Sequence, residues 1–296
     1  MKMWKKVLIG LGAVLVLLVL GSVGFLKWSG AWGVFFPSRV HETVAPAIPP
    51  DLAEPAVLLF TKTNSFRHVE AMDAGIPLWN RLAAEQGFAV FATENGAVFN
   101  PDDLARFDVV IFHNATGDMF DEDQESAFID YLDGGGGWIG THAAGDSSHA
   151  DWDWYIDSLI GGVFTAHTMG PQFQDARLVV EDADHPATRN LPAEWIHSEE
   201  WYSWDANPRD SGFRILVSVD ESTYAPYQRI FGSERDLRMG DHPIVWTVCV
   251  GEGRAFYSAL GHAGAAYATP EMEALLGGGL AWASGREGPG CDPIVD

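Results

Sequence analysis

Four of the ten histidines lie in the segments that follow short apolar runs, and these runs predict β-strands. Each of the four follows a different run, so they belong to different strands. In an open α/β sheet the ligand binds at the carboxyl ends of the strands, and we therefore expect these rings to converge on one rim. Imidazole there could transfer protons, bind a metal or hydrogen-bond a ligand. The four residues are His68, His113, His142 and His262.

His142 occupies the most specific of these positions. It lies in Gly140-Thr141-His142-Ala143-Ala144, where a predicted strand meets small residues, as in a nucleophile elbow. An elbow of that kind carries Ser or Cys, yet the chain has no Gly-x-Ser-x-Gly and neither cysteine lies at an elbow. Acyl-enzyme chemistry is therefore disfavoured. We predict that His142 is a general base, a metal ligand or a hydrogen-bonding group; the alternative is a structural histidine that caps the next turn.

An acidic pair, Glu199-Glu200, is the second candidate site. In an extended strand Glu200 would share a face with Tyr202 and Trp204. A carboxylate beside aromatic rings suits a sugar, whose ring stacks while the carboxylate accepts from its hydroxyls. The alternative is a set of core aromatics with solvated glutamates, which we prefer for Glu199. The aromatic residues around the pair are Trp195, Trp201, Tyr202 and Trp204.

Three further residues have open interpretations. His167 follows a short strand-like piece and either joins His142 or is an ordinary loop histidine. Arg67 either binds a carboxylate or a sugar hydroxyl, or pairs with a surface acid. His149 is expected to be exposed.

Phosphate-binding and compact metal motifs are not found in the sequence. Residues 134–137 are four consecutive glycines, but they precede a predicted strand and do not open a helix, so they fail the dinucleotide-binding context. No His-Glu-x-x-His or Cys-x-x-Cys occurs. A divalent metal such as zinc, held by scattered His and Glu, stays open.

The elements that must position these residues alternate between strand and helix. Apolar runs begin at Ala56, Phe88, Asp108 and Trp138, with helices predicted between them. Continuous apolar strands alternating with helices predict a mainly parallel sheet covered on both faces, a flavodoxin-like three-layer α/β fold. Asp121 and Pro270 are predicted to begin two of the helices. Further strands are predicted at 177–181, 213–219, 244–250 and 254–260.

A membrane anchor is predicted at the N-terminus. Residues 7–26 are apolar and uncharged, and about 20 such residues match a bilayer core of about 30 Å. Three lysines precede the run and one follows it, which keeps the N-terminus cytoplasmic and the domain extracytoplasmic. The expected location is thus the cytoplasmic (inner) membrane, single-pass. A cleaved signal peptide is the alternative, disfavoured because its apolar region is shorter.

Charge and cysteines restrict the partners. Four of the 18 basic residues and none of the 41 acidic ones lie in residues 1–27, so the remainder carries a formal net charge of −27. Such a surface repels nucleic acid and anionic lipid head groups.

Cys249 lies in a strand-like run and is expected to be a buried apolar residue, whereas Cys291 lies in a Gly/Pro-rich tail. A disulfide between them has weak support.

An ordered series of motifs resembles the ThuA (trehalose utilisation) family over about residues 56–284. The family is similar in fold to class I glutamine amidotransferases and lacks their catalytic cysteine, as this sequence does. Its members are linked to disaccharide and keto-sugar metabolism. The motifs are Lys62-Thr63…Phe66-Arg67-His68, Thr116-Gly117-Asp118, residues 134–144, residues 162–167, His185-Pro186, Glu199-Glu200-Trp201-Tyr202 and residues 253–262.

The resemblance implies a pocket formed by His68, His142, His167, Glu200 and His262. Two features depart from the family pattern: Thr168 stands where a proline often follows the histidine, and a membrane anchor has been added. The anchor implies a periplasmic or extracellular substrate.

These observations together predict an N-terminal anchor (1–27), a linker (28–54), a ThuA-like α/β domain (55–285) and a tail (286–296). The expected function is action on a small carbohydrate, as a hydrolase, lyase or isomerase. The alternative is a non-catalytic sugar-binding module. Oligomeric state is left open. The catalytic candidates are His142, His262 and Glu200, and the substrate-binding candidates are Arg67, His68, Asp118, His167 and Tyr202.

Overall fold

The structure, a computed structural model, describes residues 3–230 and 232–291. Thirteen strands lie within these residues, and nine of them form one large sheet. The strands are β1 (Ala56–Phe60), β2 (Ala89–Thr93), β3 (Val109–His113), β4 (Gly137–Thr141), β5 (Phe164–His167), β6 (Gln174–Val180), β7 (Glu194–Glu199), β8 (Tyr202–Trp204), β9 (Arg214–Val219), β10 (Tyr227–Ile230), β11 (Ser233–Asp236), β12 (Pro243–Val250) and β13 (Gly253–Ser258).

Helices begin where the sequence offers caps. Asp121 and Gln124 form a capping box, each side chain accepting from the other's backbone N–H. Thr269 caps the last helix, whose first residue is Pro270. Both predicted helix starts are confirmed. The helices are α1 (Met3–Trp28), α2 (Trp32–Phe35), α3 (Val69–Glu85), α4 (Pro101–Leu104), α5 (Glu122–Asp133), α6 (Asp153–Tyr155) and α7 (Pro270–Ala283).

The large sheet has the strand order β2-β1-β3-β4-β13-β12-β9-β6-β7. Its first five strands are mutually parallel in the flavodoxin-like order, and the other four extend it with antiparallel pairs. β1, β3 and β4 are buried along their whole length, which explains their uninterrupted apolar sequences. The predicted α/β fold with a parallel core is confirmed.

Adjacent residues of β3 show that helices cover both faces. Phe112 packs against Phe128 of α5, with ring centroids 5.2 Å apart. His113 points the other way, and its Nδ1 lies 3.3 Å from the indole nitrogen of Trp79 in α3. Because neighbouring side chains in a strand face opposite sides, α3 and α5 lie on opposite faces of the sheet. The domain therefore has three layers.

The N-terminal helix differs from all others. α1 is the one described helix that is long and apolar enough to cross a membrane, and none of its residues is buried. A signal sequence near the N-terminus passes the same test of length and composition. The residues after α1 lie along the domain: Ser38 N–H donates to the carbonyl of Asn64, and the Glu42 carboxylate pairs with Lys62 at 2.6 Å.

The two cysteines form a disulfide, with their Cα atoms 5.5 Å apart. Cys249 is exposed near the end of β12, so the expectation of a buried apolar residue is wrong. The last residue of the strand, Val250, is buried, and Cys249 beside it points to the opposite, solvent-exposed side. The bond joins β12 to the segment that follows α7.

Candidate functional site

Three histidines and one glutamate converge at the carboxyl ends of the parallel strands. His142 follows β4, His262 follows β13, His68 precedes α3, and Glu200 separates β7 from β8. His262 Nδ1 lies 3.1 Å from His142 Nε2 and 2.9 Å from Glu200 Oε2. The ring of His68 is centred 4.9 Å from that of His142 and 4.6 Å from that of His262. The convergence predicted for these histidines is therefore observed.

His142 is held in one tautomer by its surroundings. Its Nδ1–H donates to the carbonyl of Ala259 at 2.8 Å, because a carbonyl can only accept. The lone pair of Nε2 therefore points into the cluster, where the Tyr202 hydroxyl donates to it at 2.9 Å. His142 also has φ 45°, a conformation that is uncommon outside glycine and that concentrates at functional sites. The strand-to-turn elbow expected at this residue is present.

Glu200 is buried, and histidines surround its carboxylate. Oε1 lies 2.9 Å from Nδ1 of His167 and accepts from the amide of Gln172 at 2.5 Å. Burial alone would raise the pKa of Glu200, but the adjacent ring of His142 and the hydrogen bonds from His167 and His262 hold that pKa far below its usual range. The carboxylate is therefore ionised at neutral pH.

Glu199 is also buried, which corrects the expectation of a solvated side chain. Its carboxylate accepts the backbone N–H groups of Gly261 at 2.6 Å and of Glu200 at 2.9 Å. The His262 N–H lies 3.3 Å from it. Glu199 thus positions the loop that carries His262. Burial alternates within β7, and Glu199 shares its buried face with His197; the expectation missed this because alternation was applied to Glu200 and the residues after it.

Tyr202 and His167 lie on the paired strands β8 and β5. The ring of Tyr202 is centred 4.3 Å from that of His142, so the tyrosine belongs to the site. Burial lowers the pKa of His167, but its hydrogen bond to Glu200 and that charge outweigh burial and raise it. Trp204 does not join them as a platform; it packs against Trp246 in the core.

His68 is buried and has an unsatisfied ring nitrogen. Its Nδ1 has no hydrogen-bond partner in the structure. Burial, followed by the nearby charges of His142 and His262, lowers the pKa of His68 well below its usual value. His68 is therefore neutral and presents a free nitrogen, as a ligand-binding imidazole must.

Two substrate-binding candidates lie away from the cluster. The Arg67 guanidinium pairs with Glu94 at 2.9 Å and donates to the Thr63 hydroxyl at 3.0 Å. Asp118 pairs with His41 at 2.7 Å and lines a separate cavity. Both residues are close in sequence to pocket residues, but their side chains do not line the cavity that contains Glu200.

Two other histidines are structural. His113 was expected on the rim, but it faces α3: its Nε2–H donates to the Ala71 carbonyl at 3.0 Å, and burial lowers its pKa to about 4. His149 was expected to be exposed, but it is buried and donates to the Ala115 carbonyl at 3.0 Å. Both expectations are wrong: His113 is still the last residue of β3 and faces α3, and His149 lies in a helical turn at 147–149, where its ring packs on Tyr155.

Within the described ranges 3–230 and 232–291, one group of side chains has the composition and spacing of a metal site. One ligand atom from each member lies within 4.8 Å of those from the others. His167 lies outside this group, although its ring contacts Glu200. The members are His68, His142, Glu200 and His262.

A cavity of about 350 Å³ opens beside this group, within the range of small-molecule sites. Its polar floor includes His167, Gln172 and Glu200. Phe66 and Phe164 also line it, and neither was a candidate from the sequence, which offers no signal that would distinguish them from core phenylalanines.

The fold and the site define a flavodoxin-like α/β protein that carries histidine at the elbow where related architectures carry a nucleophile. The model of the ThuA family, described as trehalose utilisation, matches residues 56–283. The chain belongs to the ThuA family, which confirms the resemblance seen in its motifs.

Two solved structures are similar to this chain. The ThuA-like protein of Bacteroides uniformis ATCC 8492 is 26% identical, with a TM-score of 0.67 over 81% of this chain and 95% of that one. The ThuA-like protein of Parabacteroides merdae ATCC 43184 is 23% identical, with a TM-score of 0.58 over 78% and 90%, and shows the shared fold. No curated protein matches the chain.

Proposed function

We propose that this chain is an extracytoplasmic enzyme of carbohydrate metabolism that uses histidine and glutamate for acid–base chemistry. The observation that carries the proposal is the contact between an ionised, buried Glu200 and the rings of His142 and His262 in an open cavity. Membership of a family described as trehalose utilisation supports a small-carbohydrate substrate, which we propose to be a disaccharide or a keto-sugar.

The geometry suggests a role for each group. His142 is buried with its Nε2 lone pair toward Tyr202 and His262, which line the cavity, so it is suited to receive a proton that either of them relays from a sugar hydroxyl or from the carbon next to a carbonyl. His262, hydrogen-bonded to Glu200, can donate one. Tyr202 orients His142, and Glu199 positions the His262 backbone. Proton transfer of this kind fits a hydrolase, a lyase or an isomerase.

We further propose that His68, His142, Glu200 and His262 can instead hold a divalent cation such as zinc, in which case His142 is a ligand and not the base. The donor set, three imidazoles and a carboxylate, is one that zinc accepts. The unsatisfied Nδ1 of His68 and the Nδ1–H bond from His142 to a carbonyl are features of ligating histidines. Such an ion would polarise a carbonyl or acidify a bound water. The alternative is a metal-free histidine cluster that hydrogen-bonds sugar hydroxyls.

Three observations support an extracytoplasmic location. α1 is apolar and exposed, and three lysines precede its apolar run while one follows. The disulfide between Cys249 and Cys291 fits an oxidising compartment.

The deciding experiment measures turnover of keto-glycosides and disaccharides by the full chain in detergent, compared with His142→Asn. A matched control is His41→Gln, which changes a histidine outside the cavity. Turnover that falls in the first variant and persists in the second supports an enzyme. Binding without turnover in every protein would favour the sugar-binding module. Elemental analysis before and after chelation decides the metal: a stoichiometric ion lost together with activity supports it, and full activity without metal rejects it.

A further inference from the structure

Residues 28–42, which begin with the last residue of the N-terminal helix, contact the candidate site. We call them the juxtamembrane segment. Gly30 has φ +77° and its carbonyl accepts the N–H of Arg67 at 3.1 Å. A Cβ atom on Gly30 would collide with the carbonyl oxygen of Arg67, so only glycine allows this approach. Gly33 meets the carbonyl of Ser65 in the same way. The segment is therefore packed onto the loop that leads to His68.

This segment forms a wall of the cavity. Val34 lines the 350 Å³ cavity that contains Glu200. Trp28 and Ser29 line an adjoining cavity of about 410 Å³. The two cavities share Phe66, His68 and His262. The end of α1 thus lies beside the histidine cluster.

The rim of these cavities is apolar and exposed, in contrast to their polar floor. Trp28 is 77% exposed, Val34 54%, Met169 50% and Phe173 41%. Two of them belong to the juxtamembrane segment, and two belong to the loop between β5 and β6. Exposed apolar groups clustered around a pocket mark a surface that meets a membrane or a partner. Their position beside the last turn of an apolar helix selects the membrane, because tryptophan at such a helix end lies at the bilayer interface.

We propose that the pocket opens onto the outer leaflet and takes an amphiphilic glycoside: its sugar head group contacts the His/Glu floor and its apolar chain lies along the rim toward the bilayer. This rests on the proposed carbohydrate function and on α1 remaining attached as a membrane span. The net charge of −27 beyond residue 27 favours a neutral or cationic head group over an anionic one.

The membrane contact can be tested without turnover. The full chain is placed in phosphatidylcholine nanodiscs, and Phe173→Cys is labelled with a polarity-sensitive fluorophore. The matched control is Ala105→Cys, an exposed residue at the opposite edge of the sheet, before β3 begins. We expect nitroxide lipids to quench the label at position 173 at least threefold more than the label at 105. Equal quenching would overturn the membrane contact.

The substrate class is tested with dodecyl and methyl glucoside as probes in the same nanodiscs. We expect at least tenfold tighter binding of the dodecyl compound, lost in Val34→Asp, which places a charge on the exposed rim. Equal affinity for both probes would overturn the amphiphile. If neither probe binds, the carbohydrate function fails, and the substrate class with it; the quenching result still decides the membrane contact.

Discussion

His113 and His142 lie at the ends of neighbouring strands, yet one is a core residue and the other belongs to the candidate site. Their strands pair in register, with His113 opposite Thr141, so His142 lies one residue farther along. His113 keeps strand geometry and points under α3, where Ala71, Trp79 and Thr141 occupy its ring nitrogens. His142 turns through a positive φ and directs Nε2 into the cluster, toward the Tyr202 hydroxyl. A single residue of offset therefore separates a core histidine from a site histidine.

The largest expected effect comes from substituting both histidines in turn. His142→Asn should reduce turnover by about 10²–10⁴-fold, the range of a general acid–base group. His113→Gln should keep turnover within a few-fold and lower the free energy of unfolding, because its partners become poorly satisfied. Steady-state kinetics and urea unfolding of both variants check this. A large loss of turnover in His113→Gln with normal turnover in His142→Asn would show that His113, and not His142, belongs to the site.

The dependence of the free energy of unfolding on pH should reveal the contribution of buried His113. Its pKa is about 4 when folded, because of burial, and 6.5 is the ordinary value for the unfolded chain. The unfolded state therefore binds the proton first, so the contribution of neutral His113 is complete above pH 6.5 and is lost as pH falls toward 4. The loss amounts to about 3 kcal/mol. Urea unfolding between pH 7 and 4 should show a shallower decline in His113→Gln than in His41→Gln; parallel curves would contradict this.

Metal binding should separate the two histidine environments further. If His68 and His142 bind zinc, the ion at about 100 times its Kd stabilises the folded chain by about 2.7 kcal/mol. The melting temperature should rise on adding zinc to the wild type and to His113→Gln. It should not rise in His68→Gln, which removes a ligand. A rise in all three proteins would place the ion elsewhere.

Arg67 and His68 repeat the comparison within two consecutive residues, with the smallest effect expected. Arg67 points outward to Glu94, whereas His68 is buried in the cluster. Exposed ion pairs contribute about 0–1 kcal/mol, so Arg67→Ala should change stability by less than about 1 kcal/mol. Turnover should change less than threefold. A loss comparable to that in His142→Asn would show that Arg67 reaches the substrate.

The sequence by itself determined the parallel core, the helix starts, the apolar N-terminal helix and the elbow at His142. These follow from local patterns: runs of apolar residues, capping residues and small residues at a strand exit, each of which acts within a few positions along the chain. The family motifs added His68, His167 and Glu200 to the same pocket.

Only the tertiary structure decided which polar side chains face that pocket. Glu199 became a buried anchor for His262, Asp118 fell in another cavity, and residues 28–42 became a wall of the site. These outcomes depend on where distant segments pack, and a side chain's direction at the end of a strand changes with one residue of turn geometry. Local patterns contain no information about that packing, because the partners lie tens of residues away in the chain.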